Sequence, residues 1–98
     1  MAKTDKNAIN RLYKAVLKLQ TEKECENFFN DICTMQEIEA IAQRLDVACK
    51  LLKGKVYTEI SADTGASTAT VCRVNRCIKY GGGGYKTVVE RLDEEEQK

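Results

Sequence analysis

A chain of 98 residues is long enough for one small domain, and a core of that size leaves apolar surface for a partner to cover. The sequence has no proline and no histidine, and its abundance of helix-forming residues excludes the strand-rich sandwiches and barrels. Five cysteines, an odd number without a Cys-x-x-Cys pair, argue against a disulfide framework or a zinc site and predict reduced thiols in a cytoplasm.

The formal net charge of +1 conceals an uneven distribution of charge along the chain. Residues 50–79 contain six Lys or Arg and two Asp or Glu, whereas residues 21–49 contain two basic and seven acidic residues. Residues 93–98 form a predicted acidic tail. The basic segment favours a polyanionic partner, and no apolar run is long enough to cross a membrane, so we expect no membrane partner.

Apolar residues spaced by three and four positions predict an all-α chain, beginning with three amphipathic helices. The first covers Ala8–Leu19, with Asn7 before it as the cap. Capping boxes predict where the next two begin, one formed by Thr21 with Glu24 and one by Thr34 with Glu37. The third helix ends at Gly54 and carries the most regular apolar stripe of the chain: Ile38, Ile41, Ala42, Leu45, Ala48, Cys49 and Leu52.

Three shorter helices follow in the second half of the chain. They are predicted over Thr58–Thr64, Ser67–Lys79 and Tyr85–Glu94, and the glycine run 81–84 before the last one reads as a flexible hinge.

Residues 57–79 carry the pattern of a helix-turn-helix. Gly65 supplies the residue that tolerates the tight turn, and Ser67 caps the second helix. The inward positions are Ile60 and Thr64 before the turn and Val71 and Val74 after it, and Ala62 is small enough for a crowded helix crossing.

The outward positions of the second helix predict a site for double-stranded DNA. Short side chains near its start can approach base edges, and longer cations beyond them can reach phosphates or guanine. These positions are Ser67, Thr68, Ala69, Cys72, Arg73, Arg76 and Lys79. Two alternatives stay open: a plain helical hairpin with a solvated outer face, and a dimeric helical adaptor that uses the same helices to bind protein.

An enzyme is not expected from these residues. The chain has no histidine, no paired carboxylates in an apolar setting, and no nucleophile with a base beside it.

The run Gly65-Ala66-Ser67-Thr68-Ala69-Thr70-Val71-Cys72-Arg73-Val74 resembles the tryptophan repressor family. Matches at fixed spacing extend over most of the chain, including Phe28-Phe29, Ala42-Gln43-Arg44-Leu45 and Tyr80-Gly81. Within the family, the sequence is most similar to the YerC/YecD group of Trp-repressor-related bacterial proteins.

This resemblance implies one domain, residues 1–98, with six helices in an intertwined two-fold homodimer. Such a dimer places two recognition helices in successive major grooves of a near-palindromic DNA site. The resemblance implies a transcriptional regulator that acts there as a repressor. By position, five residues fall where the repressor meets DNA: Thr58, Ser61, Thr68, Ala69 and Cys72.

The family's effector pocket transfers only in part. Thr34, Arg44, Thr70 and Arg73 match its positions. Val74 stands where the repressor has glycine and would intrude on the ring space, while Cys77 replaces a serine that holds the ligand's amino group. We therefore expect no cofactor and no binding of tryptophan, and a different small-molecule effector stays open.

Overall fold

The protein is described by a computed structural model that covers residues 5–97. These residues form six helices and no strand, which confirms the all-α prediction: α1 (Lys6–Val16), α2 (Glu22–Ile32), α3 (Met35–Leu52), α4 (Tyr57–Thr64), α5 (Thr68–Tyr80) and α6 (Gly84–Glu96). Residues 1–4 and Lys98, the last residue of the predicted acidic tail, lie outside the described residues. The chain divides within α3 into two compact units, one ending at Ile38 and the other beginning at Glu39.

Helix α1 begins two residues earlier than predicted. The carboxylate of Asp5, not the side chain of Asn7, caps the helix by accepting a hydrogen bond from the Asn7 backbone nitrogen at 2.9 Å. The helix ends at Val16 because the backbone nitrogens of Lys18 and Leu19 bond to carbonyls three residues back, which tightens the last turn.

Both predicted capping residues lie where the sequence places them. Thr21 accepts from the Glu24 nitrogen at 3.0 Å and Thr34 from the Glu37 nitrogen at 3.1 Å. The reciprocal bond to the capping residue forms only in the second case, from the Thr34 nitrogen to the Glu37 carboxylate at 2.8 Å. In the first case the Glu24 carboxylate reaches one residue further back, to the Gln20 nitrogen. The two caps fix where α2 and α3 begin.

Gly54 terminates α3 in the left-handed conformation that the sequence predicts, with φ of 82°. The nitrogen of Lys55 donates to the carbonyl of Lys50, and that of Gly54 donates to the carbonyl of Leu51. This pair of bonds is a Schellman motif, which satisfies the last carbonyls of α3 and turns the chain toward α4.

The core of the second unit lies among α3, α4 and α5. Its buried side chains are Val47, Ala48, Ile60, Ala66, Val71 and Val74, and Leu51, Tyr57, Ile78 and Tyr85 pack against them. The apolar stripe predicted for α3 enters this core only in part: its member Ala48 is fully buried together with Val47, which lies off the stripe, whereas Ile41 on the stripe is 49% exposed.

The turn between α4 and α5 also corrects one detail. Ala62, predicted at the helix crossing, is exposed, and the small buried residue is Ala66 in the turn itself. Helix α5 packs against both α4 and α6. Helix α6 begins at Gly84, inside the glycine run predicted as a hinge, and continues through the acidic residues 93–96.

Gly65→Ala is expected to lower the free energy of unfolding by about 1 kcal/mol, because Gly65 has a left-handed φ that strains any residue with a Cβ. A Cβ there would stand 3.9 Å from the Gln43 amide nitrogen, an ordinary contact, so the cost is backbone strain. Urea unfolding at fixed protein concentration measures the loss. Gly82→Ala is the control, since its Cβ meets nothing within 4 Å. Equal losses of unfolding free energy in the two variants would contradict the assignment of the loss to backbone strain at Gly65.

Candidate nucleic-acid interface

The connection between α4 and α5 is a three-residue turn, Gly65 to Ser67. A hydrogen bond stabilises each end of the turn. The Gly65 nitrogen donates to the Ser61 carbonyl at 2.9 Å and ends α4. The Ser67 hydroxyl accepts from the Thr70 nitrogen at 3.1 Å and caps α5, as predicted. Ala66 between them is buried, and its side chain anchors the otherwise exposed turn to the core.

Three further hydrogen bonds hold the α4–α5 pair. The Thr64 hydroxyl donates to the Ile60 carbonyl at 2.7 Å and accepts from the Ala66 nitrogen. The Gln43 amide donates to the Thr64 carbonyl at 3.2 Å, which joins the turn to α3. The sequence pattern missed Gln43 because the two bonded residues are 21 positions apart and no local spacing signals the contact.

The inner and outer faces of α5 divide as the sequence predicts. Val71 and Val74 are buried, together with Ile60 of α4. The predicted outward residues of α5 and its cap are all exposed: Ser67, Thr68, Ala69, Cys72, Arg73, Arg76 and Lys79. On α4, Thr58 is exposed and Ser61 is half-buried.

The exposed face of α5 is positively charged. The helix contains Arg73, Arg76 and Lys79 and no acidic residue. Within residues 5–97 the ion pairs are Lys23 with Glu26 and Lys50 with Asp46, so neither pair occupies a cation of α5. Exposed cations without a carboxylate partner attract an anion from solution at little desolvation cost, and a nucleic-acid phosphate is such an anion.

The three lysines in the last turn of α3 and just after it are not equivalent. Lys50 bonds to the Asp46 carboxylate at 2.9 Å, and this hydrogen bond raises the pKa of Lys50. Lys53 and Lys55 are exposed, and neither takes part in the ion pairs formed within residues 5–97. These two lysines, rather than Lys50, can add positive charge near the start of α4.

The five predicted effector residues that lie in the second unit are divided among a cleft, a groove and the core. Arg44, Thr70 and Arg73 line an open cleft of about 300 Å³ with Ala40 and Gln43. Cys77 instead lines an apolar groove of about 730 Å³, formed with Arg44 and with Ile41, Leu45, Tyr85 and Val88 among others. Val74 belongs to the core, with 1% of its surface exposed. The Thr34 hydroxyl is used as the cap of α3.

The cysteines differ in exposure. Cys72 on the basic face and Cys77 in the groove are exposed, whereas Cys25, Cys33 and Cys49 are partly buried. Burial raises the pKa of the Cys49 thiol, which keeps it protonated near neutral pH. Among the described residues, no three His, Cys, Asp or Glu side chains are grouped so as to hold a metal ion. No helix in residues 5–97 is long and apolar enough to cross a membrane.

The six-helix arrangement and the exposed basic helix define a TrpR-like fold. Two solved structures share it with TM-scores of 0.87: a TrpR like protein from Eubacterium eligens ATCC 27750 and a putative Trp repressor from Staphylococcus aureus. The first is 44% identical, and the match covers 91% of this chain and 92% of the Eubacterium chain. The second is 38% identical, and the match covers 91% of this chain and 89% of the Staphylococcus chain.

The sequence comparisons define the family. The family model described as "Trp repressor protein" matches residues 7–93. The uncharacterized protein YerC of Bacillus subtilis (strain 168) is 44% identical over 88 residues, which are 90% of this chain and 85% of that protein. The chain therefore belongs to the Trp repressor family, as the resemblance implied, and the YerC relationship is confirmed.

Calorimetric titration with L-tryptophan is expected to give no binding heat. The Val74 side chain, which the family resemblance places in the ring space of the ligand, is packed into the core here and cannot move aside without opening a cavity. Titration of a Val74→Ala variant under the same conditions tests whether the valine methyl groups are what blocks the site. A saturable micromolar titration with the unmodified protein would show that the pocket is open after all.

Proposed function

We propose that this protein is a sequence-specific, double-stranded DNA-binding regulator of transcription that acts in the bacterial cytoplasm as a homodimeric repressor. The observation that carries the proposal is the exposed face of α5, where three cations without an acidic neighbour stand on a helix whose opposite face is locked into the core. Membership of the Trp repressor family supports a regulatory role.

The side chains of α5 divide into two groups along the helix. Ser67, Thr68, Ala69 and Cys72 are short, so the start of the helix can enter a major groove and bring them to base edges. Arg73, Arg76 and Lys79 lie beyond them and have the reach to contact phosphates, or guanine in the case of arginine. We assign Thr58 and Ser61 on α4 to contacts with the DNA backbone.

The proposed homodimer rests on apolar surface that the described chain leaves uncovered. On α1, the side chains of Ile9, Leu12, Tyr13 and Val16 are between 37% and 61% exposed. The second unit separately exposes Ile41 and Val88 along its apolar groove. Apolar surface of this extent on a small protein marks an interface, and a two-fold pair of chains would cover the same patches on both copies.

We propose that DNA binding requires no tryptophan. The pocket position at Val74 is filled by the protein's own core, and this packing supplies the support for α5 that a ligand would otherwise provide. A different small-molecule effector would bind in the cleft lined by Arg44 and Arg73.

Arg73→Ala combined with Arg76→Ala is expected to weaken DNA binding by at least about tenfold, since two charge-assisted contacts are lost. The probe is the duplex recovered by selecting bound sites from a random pool, and gel retardation and fluorescence anisotropy give the affinity. The slope of log affinity against log salt should become shallower by about two. Lys86→Ala with Arg91→Ala removes the same charge from α6 and is the control.

The salt series also separates DNA binding from the adaptor alternative. Contacts made with phosphates weaken steeply as salt rises, because bound counterions are released. Affinity that stays constant between low and moderate salt, or equal binding by the double arginine variant, would contradict the assignment of α5 as the recognition helix and favour a protein partner.

The protein is expected to have the mass of a dimer by light scattering at micromolar concentration, and the double arginine variant should keep that mass because its substitutions lie on an exposed face. Leu12→Glu on α1 should shift the equilibrium toward monomer, since a charge in an apolar interface is costly to bury. The exposed Lys14→Glu is the control on the same helix. A monomeric mass for the unmodified protein would refute the homodimer.

A further inference from the structure

Helix α4 is held at both of its ends by side-chain hydrogen bonds to other helices. Tyr57, its first residue, accepts a bond of 2.7 Å at its hydroxyl from the side-chain amide of Asn75 in α5. Thr64, its last residue, accepts at its carbonyl the 3.2 Å bond from Gln43 in α3. The side chains that form these bonds belong to Tyr57, Asn75 and Gln43, and none of the three is assigned above to DNA contact.

The two bonds differ from the rest of the packing in being directional. The core beneath α4 and α5 consists of Val, Ile and Ala side chains, whose attraction depends on buried area and tolerates small rotations of one helix over another. A hydrogen bond weakens steeply when its distance or angle changes. The Asn75 bond therefore restricts the rotation of α5 relative to α4, and the Gln43 bond restricts the position of the turn relative to α3.

The location of Asn75 makes this restriction relevant to the exposed face. Asn75 is half-buried on α5, between the buried position 74 and the exposed position 76, so it lies at the boundary of the two faces. Its partner Tyr57 packs its ring against the core. A rotation of α5 that breaks the Asn75 bond would move Cys72 and Arg76 relative to α4, and contacts to base edges require placement within a fraction of an ångström.

We propose that Gln43, Tyr57 and Asn75 are positioning residues for DNA recognition: they do not touch DNA, and they hold the α4–α5 pair in the orientation that reads base edges without a bound effector. This inference rests on the proposed DNA-binding function. It deepens that function by assigning the specificity of α5 to a hydrogen-bonded support that is built into the chain.

The test uses Tyr57→Phe, Asn75→Leu and the double variant, in the full-length protein, with the selected duplex and a scrambled duplex of the same length. Each single variant should bind the selected duplex about two- to fivefold more weakly, in keeping with the loss of one neutral hydrogen bond. The double variant should be no weaker than either single one, because both changes remove the same bond. Affinity for the scrambled duplex and the salt slope should stay unchanged, since phosphate contacts tolerate rotation of the helix.

Tyr80→Phe is the control, because it removes a tyrosine hydroxyl from the exposed end of α5, and that hydroxyl makes no hydrogen bond within residues 5–97. Gln43→Met, which keeps the length of the side chain, should add its own loss to that of Tyr57→Phe, since it removes a separate bond. Urea unfolding of every variant tests whether the protein is folded at the assay temperature. If Asn75→Leu does not fold, Tyr57→Phe still tests the inference, because it removes the hydroxyl and keeps the packed ring.

Specific binding equal to that of the unmodified protein in both single variants would overturn the inference. A loss in Asn75→Leu alone would also overturn it, in favour of a direct DNA contact by Asn75. A loss that is equal on the two duplexes would show a general effect on folding instead. These results are distinct from failure of the proposed function, which would appear as salt-independent binding or as full binding by the double arginine variant.

Discussion

The α4–α5 pair depends on a steric constraint at Gly65. Helix α4 has to end and the chain has to reverse within three residues, so that Ile60 before the turn and Val71 and Val74 after it reach the same core. Only a residue without a Cβ adopts φ of 75° there without strain. Because this turn buries one face of α5 in the core, it also determines which side chains of α5 face solvent.

Charge and burial are separated on α5 in a way that the net charge of the chain does not reveal. The overall charge is +1, yet the exposed side of this helix presents cations while the acidic residues concentrate in other segments. Since the cations have no carboxylate on their own helix, their charge is available to an external anion. The packing that buries Val71 and Val74 and the electrostatics that favour an anionic partner are therefore two consequences of one helical periodicity.

Val74 connects this architecture to the family to which the chain belongs. Its branched side chain completes a core in which helices from separate parts of the sequence meet, and the same side chain occupies the position where the family resemblance places a ligand. This packing is the basis of our proposal that no tryptophan is required, because packed apolar atoms support α5 independently of any ligand concentration. The hydrogen bonds of Gln43 and Asn75 act in the same direction, because they add directional restraint to a core that has none of its own.

The sequence by itself determined the six helices, the caps Thr21, Thr34 and Ser67, the turn at Gly65 and the outward set of α5, because these depend on spacing and backbone preference within a few residues. It could not show that Asp5 rather than Asn7 caps α1, since both residue types favour that position. Only the tertiary structure decided that Val47 is buried and Ile41 is exposed, that Cys77 and Arg73 line two different hollows with Arg44 between them, and that Asn75 bonds to Tyr57. Those contacts join residues far apart in the chain, and which face of a helix meets which neighbour depends on how several helices pack at once.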